Sequence, residues 1–74
     1  MHEKIEITTD YITLGQFLKL ANIFESGGFI KSFLQDQGVI VNGELEKRRG
    51  RKLYPNDLVE VEQAGSFEVV KKED

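Results

Sequence analysis

Seventy-four residues carrying a formal net charge of −3 suffice for one domain over residues 1–74 and exclude a second, so a small core is expected. The chain has no cysteine, which excludes disulfides and thiolate metal sites, and its one histidine, His2, sits near a chain end and is assigned no role. No long apolar run opens the sequence, so a soluble, cytoplasmic protein without leader or membrane span is expected.

In chain order, residues 4–7 alternate polar and apolar, which predicts a short strand with Ile5 and Ile7 buried. Residues 8–12 read as a connection. Thr13 and Gln16 match a Thr-x-x-Gln capping box, in which a hydroxyl and an amide satisfy backbone donors where a helix starts. Leu14, Phe17, Leu18 and Ala21 follow at i, i+3, i+4 and i+7, an amphipathic stripe that carries a first helix to about Asn22. Ile23, Phe24 and Phe29 flank a corner at residues 25–28 and are expected to plug the space between two short helices. Ser26 is a favourable N-cap for the second helix, and Gly38 suits its left-handed stop. Between them Ile30, Phe33 and Leu34 share one side and should face the core, away from Lys31, Gln35 and Asp36.

Val39, Ile40 and Val41 form a β-branched run, and Asn42-Gly43 is a favoured two-residue hairpin pair because both accept positive φ. Glu44-Leu45-Glu46 alternates and is expected to return antiparallel. Pro55 and Asn56 occupy the second and third positions of a predicted β-turn, with Asp57 placed to accept from backbone donors. Leu58-Val59-Glu60-Val61 alternates as another strand. Residues 63–66 read as a turn, 67–70 as a last strand and 71–74 as a frayed, charged tail. Glu44, Glu46, Glu60 and Glu62 are expected to form a solvated sheet face. The fold class is α+β, with two short helices packed on one side of a small twisted, mainly antiparallel sheet of four or five strands.

The charge is unevenly spread. Residues 1–46 hold three lysines against seven acids, and residues 53–74 hold two lysines against six acids. Between them Lys47-Arg48-Arg49-Gly50-Arg51-Lys52 carries five cations in six residues. Local field rather than net charge decides where a polyanion binds. Arg presents a planar fork to phosphate, Lys a mobile point charge, and each contact releases counterions. The alternative is a solvated loop whose charges balance the acids around it. Taken as an exposed loop, it should tolerate replacement of Arg48, Arg49 and Arg51 by Ala with the fold intact. Ser26-Gly27-Gly28 has two readings, an anion site at a helix N-terminus or simply a tight corner. Lys31 either extends the basic surface or is an ordinary exposed lysine. Tyr54, beside the loop, either stacks on an unpaired base or packs, and Tyr11 is similar with less support. With no Cys nucleophile, Ser-His-acid set or nucleotide loop, no enzyme and no cofactor are expected.

The order of elements, from the first helix through Ser26, Val39-Ile40-Val41-Asn42-Gly43, the basic loop, Asn56-Asp57 and Leu58-Val59-Glu60-Val61, resembles the small RNA-binding domain named after the fourth protein of the small ribosomal subunit. That S-four resemblance, also called the alpha-L motif, covers about residues 13–61, and the whole length looks like the stand-alone YaaA-type bacterial members. The family opens its first helix Arg-Leu-Asp-x-x-Leu, where this chain has Thr13, Leu14, Gly15, Gln16, Phe17 and Leu18. Its second helix begins Ser-Arg-x-x-Ala-Arg; here Ser26 matches, Gly27 replaces the first Arg, Ile30 replaces Ala and Lys31 stands for the second Arg. The apolar positions are kept better than the charged ones, which moves the weight onto the loop. The resemblance implies recognition of structured RNA, largely ribosomal RNA, through the two-helix surface and the loop after Val41-Asn42-Gly43, in a factor associated with a ribosomal subunit, the large one by analogy, or with its assembly. The residues expected to carry binding are Lys47, Arg48, Arg49, Arg51, Lys52, Lys31, Ser26 and Tyr54; the oligomeric state stays open, with a monomer favoured. Two alternatives stay open, a protein-interaction adaptor and an accessory factor for DNA replication or repair.

Overall fold

A computed structural model describes residues 3–24, 26–62 and 64–73; His2, residues 25 and 63 of the two predicted corners, and Asp74 of the tail lie outside the described residues. The first strand, β1 (Glu3–Ile7), buries Ile5 and Ile7 as its alternation requires. A short strand, β2 (Ile12–Thr13), then leads into α1 (Leu14–Leu20). Thr13 caps α1, its hydroxyl accepting from Gln16 N–H at 3.4 Å. The helix stops two residues before the predicted end because Asn22 turns left-handed, at φ 59°. Leu14, Phe17 and Leu18 are fully buried, and Ala21 packs against them.

The second helix, α2 (Gly27–Asp36), starts at Ser26, whose hydroxyl accepts from Phe29 N–H at 3.3 Å. Its end needs glycine twice over. Gly38 has φ 75°, and a Cβ there would lie 2.8 Å from the Glu46 carbonyl oxygen. Ile30 and Leu34 point into the core, but Phe33 is only partly buried and Phe29 is 60% exposed. The expectation of a Phe29 plug is therefore corrected. Phe29 sits in the first turn of α2 one residue before buried Ile30 and so faces outward, its ring 5.6 Å from that of Phe24.

Strands β3 (Val39–Val41) and β4 (Glu44–Glu46) form the predicted hairpin, with Asn42 at φ 50° and Gly43 at φ 86°. The strands β5 (Lys52–Leu53), β6 (Leu58–Val61) and β7 (Gly65–Lys71) complete the chain. Five strands join in the order β1-β7-β6-β3-β4, antiparallel except for the parallel β1–β7 pair, and β2 pairs separately with β5. Val41, Val59 and Phe67 lie in register across three strands and Val69 faces Ile5, so one sheet face is apolar and receives both helices. This is the expected α+β architecture.

One expectation is extended and two change. The Pro55 turn forms as predicted, with Asn56 at φ 81° and the Asp57 carboxylate accepting from Tyr54 N–H at 2.8 Å, but Asp57 also accepts from the Asn42 side chain at 3.1 Å, stitching that turn to the hairpin. The expectation of a frayed tail from residue 71 is corrected: Lys71 belongs to β7 and pairs with Asp10 at 2.9 Å, and Lys72 N–H donates to the Ile7 carbonyl. The hydrogen bond from Lys71 Nζ, reinforced by the lysine charge, holds Asp10 below the usual carboxylate range. The acids do not share one solvated face. Glu60 pairs with Ile40, whereas Glu46 pairs with Val39 and is only 6% exposed, while the intervening Leu45 is 61% exposed.

Candidate nucleic-acid interface

The basic segment is tied down by its backbone. Leu14 N–H donates to the Arg51 carbonyl at 2.7 Å and Gly15 N–H to the Arg49 carbonyl at 2.9 Å. With the Thr13 cap, these bonds satisfy three of the four amides that a helix leaves open at its start. The β2–β5 pairing, Thr13 with Lys52 and Ile12 with Leu53, fixes the segment's far end. Gly15 permits the approach, since a Cβ there would lie 2.5 Å from Arg49 Cγ. The aliphatic stem of Arg49 thus lies across the first turn of α1.

Below the segment, one buried carboxylate gathers its arginines. Glu46 Oε2 accepts from the backbone N–H of Lys47 at 3.1 Å and of Arg48 at 3.0 Å, and from Arg48 Nε at 3.0 Å. Its Oε1 accepts from Arg48 Nη2 at 3.2 Å and Arg51 Nη1 at 3.0 Å. Burial alone would raise the pKa of this acid. The donors win: hydrogen bonds from the Arg48 side chain and backbone, joined by Arg51, lower it from the usual 4.5 to about 2. The same carboxylate raises the pKa of Arg48. The picture of an exposed loop separable from the fold is corrected here. Arg51 is mostly covered, with 29% of its side chain exposed, and removing Arg48 and Arg51 together would strand a buried charge.

A cleft of about 280 Å³ opens where the three segments meet. The cap Thr13 and helix α1, with Gly15, Gln16 and Lys19, form one side, α2 contributes Gly27 and Ile30, and the basic segment contributes Arg49 and Gly50. Lys19 is the residue that sequence reasoning passed over as a plain polar position. Its spacing from Gln16 put it on the same outer face, but nothing local showed that the basic segment would dock there. Lys31 is exposed one helical turn beyond Gly27 on the same face of α2, outside the cleft lining. Ser26 is at the mouth of that helix, engaged as its cap, and Gly27 and Gly28 have open space where a Cβ would stand.

Lys47, Arg49 and Lys52 are exposed. Lys52 Nζ lies 4.8 Å above the Tyr11 ring, and Tyr11 in turn lies 5.9 Å from Tyr54. Both tyrosines keep exposed surface, 41% and 49% respectively. Of the residues named from sequence, the fold therefore brings Arg48 and Arg51 together at Glu46, sets Lys52 and Tyr54 around Tyr11, and directs Arg49 to the cleft. Among the described residues, no three His, Cys, Asp or Glu side chains converge as a metal site would need, and no helix is long and apolar enough to cross a membrane.

The arrangement suits a phosphate backbone: exposed cations on a rigid frame, beside a shallow groove and two aromatic rings. Comparison with known proteins points the same way. The sequence is 57% identical over 70 residues, 95% of this chain and 99% of the relative, to a protein of Bacillus subtilis (strain 168) described as a probable ribosome maturation protein, RlbA. The family model for the S4 domain matches residues 5–70, from the first buried isoleucine to one residue short of the end of the last strand. With that model spanning nearly all of both sheets and both helices, the chain belongs to the S4 domain family.

Proposed function

We propose that this chain is a non-catalytic protein that binds structured ribosomal RNA during maturation of a ribosomal subunit, working as a single RNA-binding unit in the cytoplasm. The observation that carries this reading is the docking of the cationic segment onto the start of α1, which holds Arg49 beside Lys19 at the cleft on a frame that needs no reordering when RNA arrives. Lys47 and Lys52 flank that point, Lys31 extends the charge along α2, and Ser26 with its two glycines leaves room for a phosphate at the helix mouth. Tyr54 and Tyr11 offer ring surface to an unpaired base. Shape and phosphate spacing, rather than base edges, are what such a surface reads in duplex RNA. The description of the relative as a ribosome maturation protein supports the ribosomal part of the reading.

The test is sedimentation of the tagged protein through sucrose gradients of lysate at low and high salt, comparing wild type with Lys47→Ala/Arg49→Ala/Lys52→Ala. This variant spares the two arginines on Glu46, so its fold is expected to survive. Salt-sensitive migration with a subunit or its precursor, lost in the variant, is the expected result and names the particle. Wild-type protein that stays at the top of the gradient at low salt would overturn the proposal. One feature favours a second reading as a protein adaptor: Phe29 is exposed beside Phe24, which itself lies 4.9 Å from Phe33. Loss of sedimentation in Phe29→Ala with RNA binding unchanged would support it.

A further inference from the structure

We propose that Glu46 is a positioning residue that sorts the cations of the basic segment, retaining Arg48 and Arg51 as framework and leaving Lys47, Arg49 and Lys52 to meet phosphate. This deepens the RNA-binding reading and rests on it. The sorting follows from geometry. Glu46 lies opposite buried Val39 in the hairpin and is itself only 6% exposed. Its two oxygens receive five donors, and these use the Nε and Nη2 edge of Arg48, the edge that would otherwise grip a phosphate as a fork. Arg48 is thus 78% exposed by area yet engaged by chemistry. Arg51 is both engaged and largely covered.

The other three differ. Among the described residues, neither Lys47, Arg49 nor Lys52 has a carboxylate partner within salt-bridge distance. Arg49 lies with its stem on Gly15 and lines the cleft, and Lys52 stands over Tyr11. Five cations in sequence thus become three that present their full charge outward and two whose charge is partly cancelled by the acid beneath them. Carboxylate and phosphate compete for the same fork. An acid buried among arginines therefore limits indiscriminate phosphate binding and fixes the spacing of the cations that remain.

The salt dependence of binding separates the two groups, because its slope counts phosphate contacts. The probe is refolded ribosomal RNA, titrated over a range of salt with wild type, R48A, R49A and E46Q, with poly-U as an unstructured competitor. R49A should flatten the slope by about 0.7–0.9, the equivalent of one contact, whereas R48A should leave it within error of wild type. E46Q, which frees both forks while keeping the side chain's shape, should steepen the slope and reduce the preference for folded RNA over poly-U. A residue that only supported the fold would shift affinity without moving the slope. In the free protein, the Nε–H signal of Arg48 should be protected from exchange and lose that protection in E46Q, while the signal of Arg49 stays averaged. Equal slope losses in R48A and R49A, or an unchanged slope in a folded E46Q, would overturn the assignment alone. Wild-type protein that fails to bind refolded RNA at low salt would overturn the RNA reading and the assignment with it.

Discussion

Glu46 is the residue on which acid tolerance should turn. Its folded pKa, about 2, lies below the usual 4.5, so its contribution is fully present above about pH 5 and is lost as pH falls toward 2. The difference is on the order of 3 kcal/mol, a large share of the stability of a small domain. Urea midpoints measured from pH 6 to pH 2.5 should fall steeply in wild type and much less in E46Q, which starts lower and has no such charge to lose. Gly38 makes a second residue-scale case. Gly38→Ala must place a side chain in the left-handed region against the Glu46 carbonyl, and a loss of roughly 1–3 kcal/mol in chemical denaturation is expected. A cost below about 0.5 kcal/mol would mean that the α2–β3 junction opens easily, which would also loosen the backbone that carries Glu46.

Among the elements, α1 is the one that serves both core and surface. Phe17 has no exposed surface, so Phe17→Ala should cost about 3–5 kcal/mol, while Phe29→Ala, at an exposed position on α2, should stay within about 0.5 kcal/mol by thermal or urea unfolding. Both helices, the hairpin and the Pro55 turn were legible because their signals are local: Thr13 and Ser26 as caps, Gly38 as a stop, Asn42-Gly43 and Asn56 at positive φ. The β2–β5 pair was not, since two residues cannot show a period and their partners lie about forty positions away. The parallel pairing of β1 with β7 is likewise non-local. The charge run was plain in the sequence, but its docking on α1 uses the carbonyls of Arg49 and Arg51, and carbonyl acceptors leave no sequence signature. The burial of Glu46 was not legible either. The register sets Glu46 opposite buried Val39, but it equally sets Glu44 opposite buried Val41, and Glu44 is exposed; what distinguishes Glu46 is its set of donors from Lys47, Arg48 and Arg51, which alternation along the strand does not show.

At the scale of the molecule, an acidic body carries a cationic segment fixed to one end of α1. Binding to polyanions should therefore be strongly salt-dependent, with affinity for refolded ribosomal RNA falling by roughly sevenfold or more between 50 and 200 mM salt if two or more of the exposed cations reach phosphate, as a filter-binding titration would show. The sheet makes a separate demand. Strand β7 lies between β1 and β6, so a chain cut after residue 64 leaves β1 without a neighbour and exposes Ile5, Ile7 and Val59. Such a fragment should give the circular dichroism and amide spectra of an unfolded chain. The same placement sets an order of events during synthesis. A nascent chain already carries Glu46 and all five cations of the basic segment well before β7 has left the ribosome, yet the sheet that supports them cannot close until it does. The cationic segment is thus made before the sheet that frames it is complete, and its fixed geometry has to wait for β7.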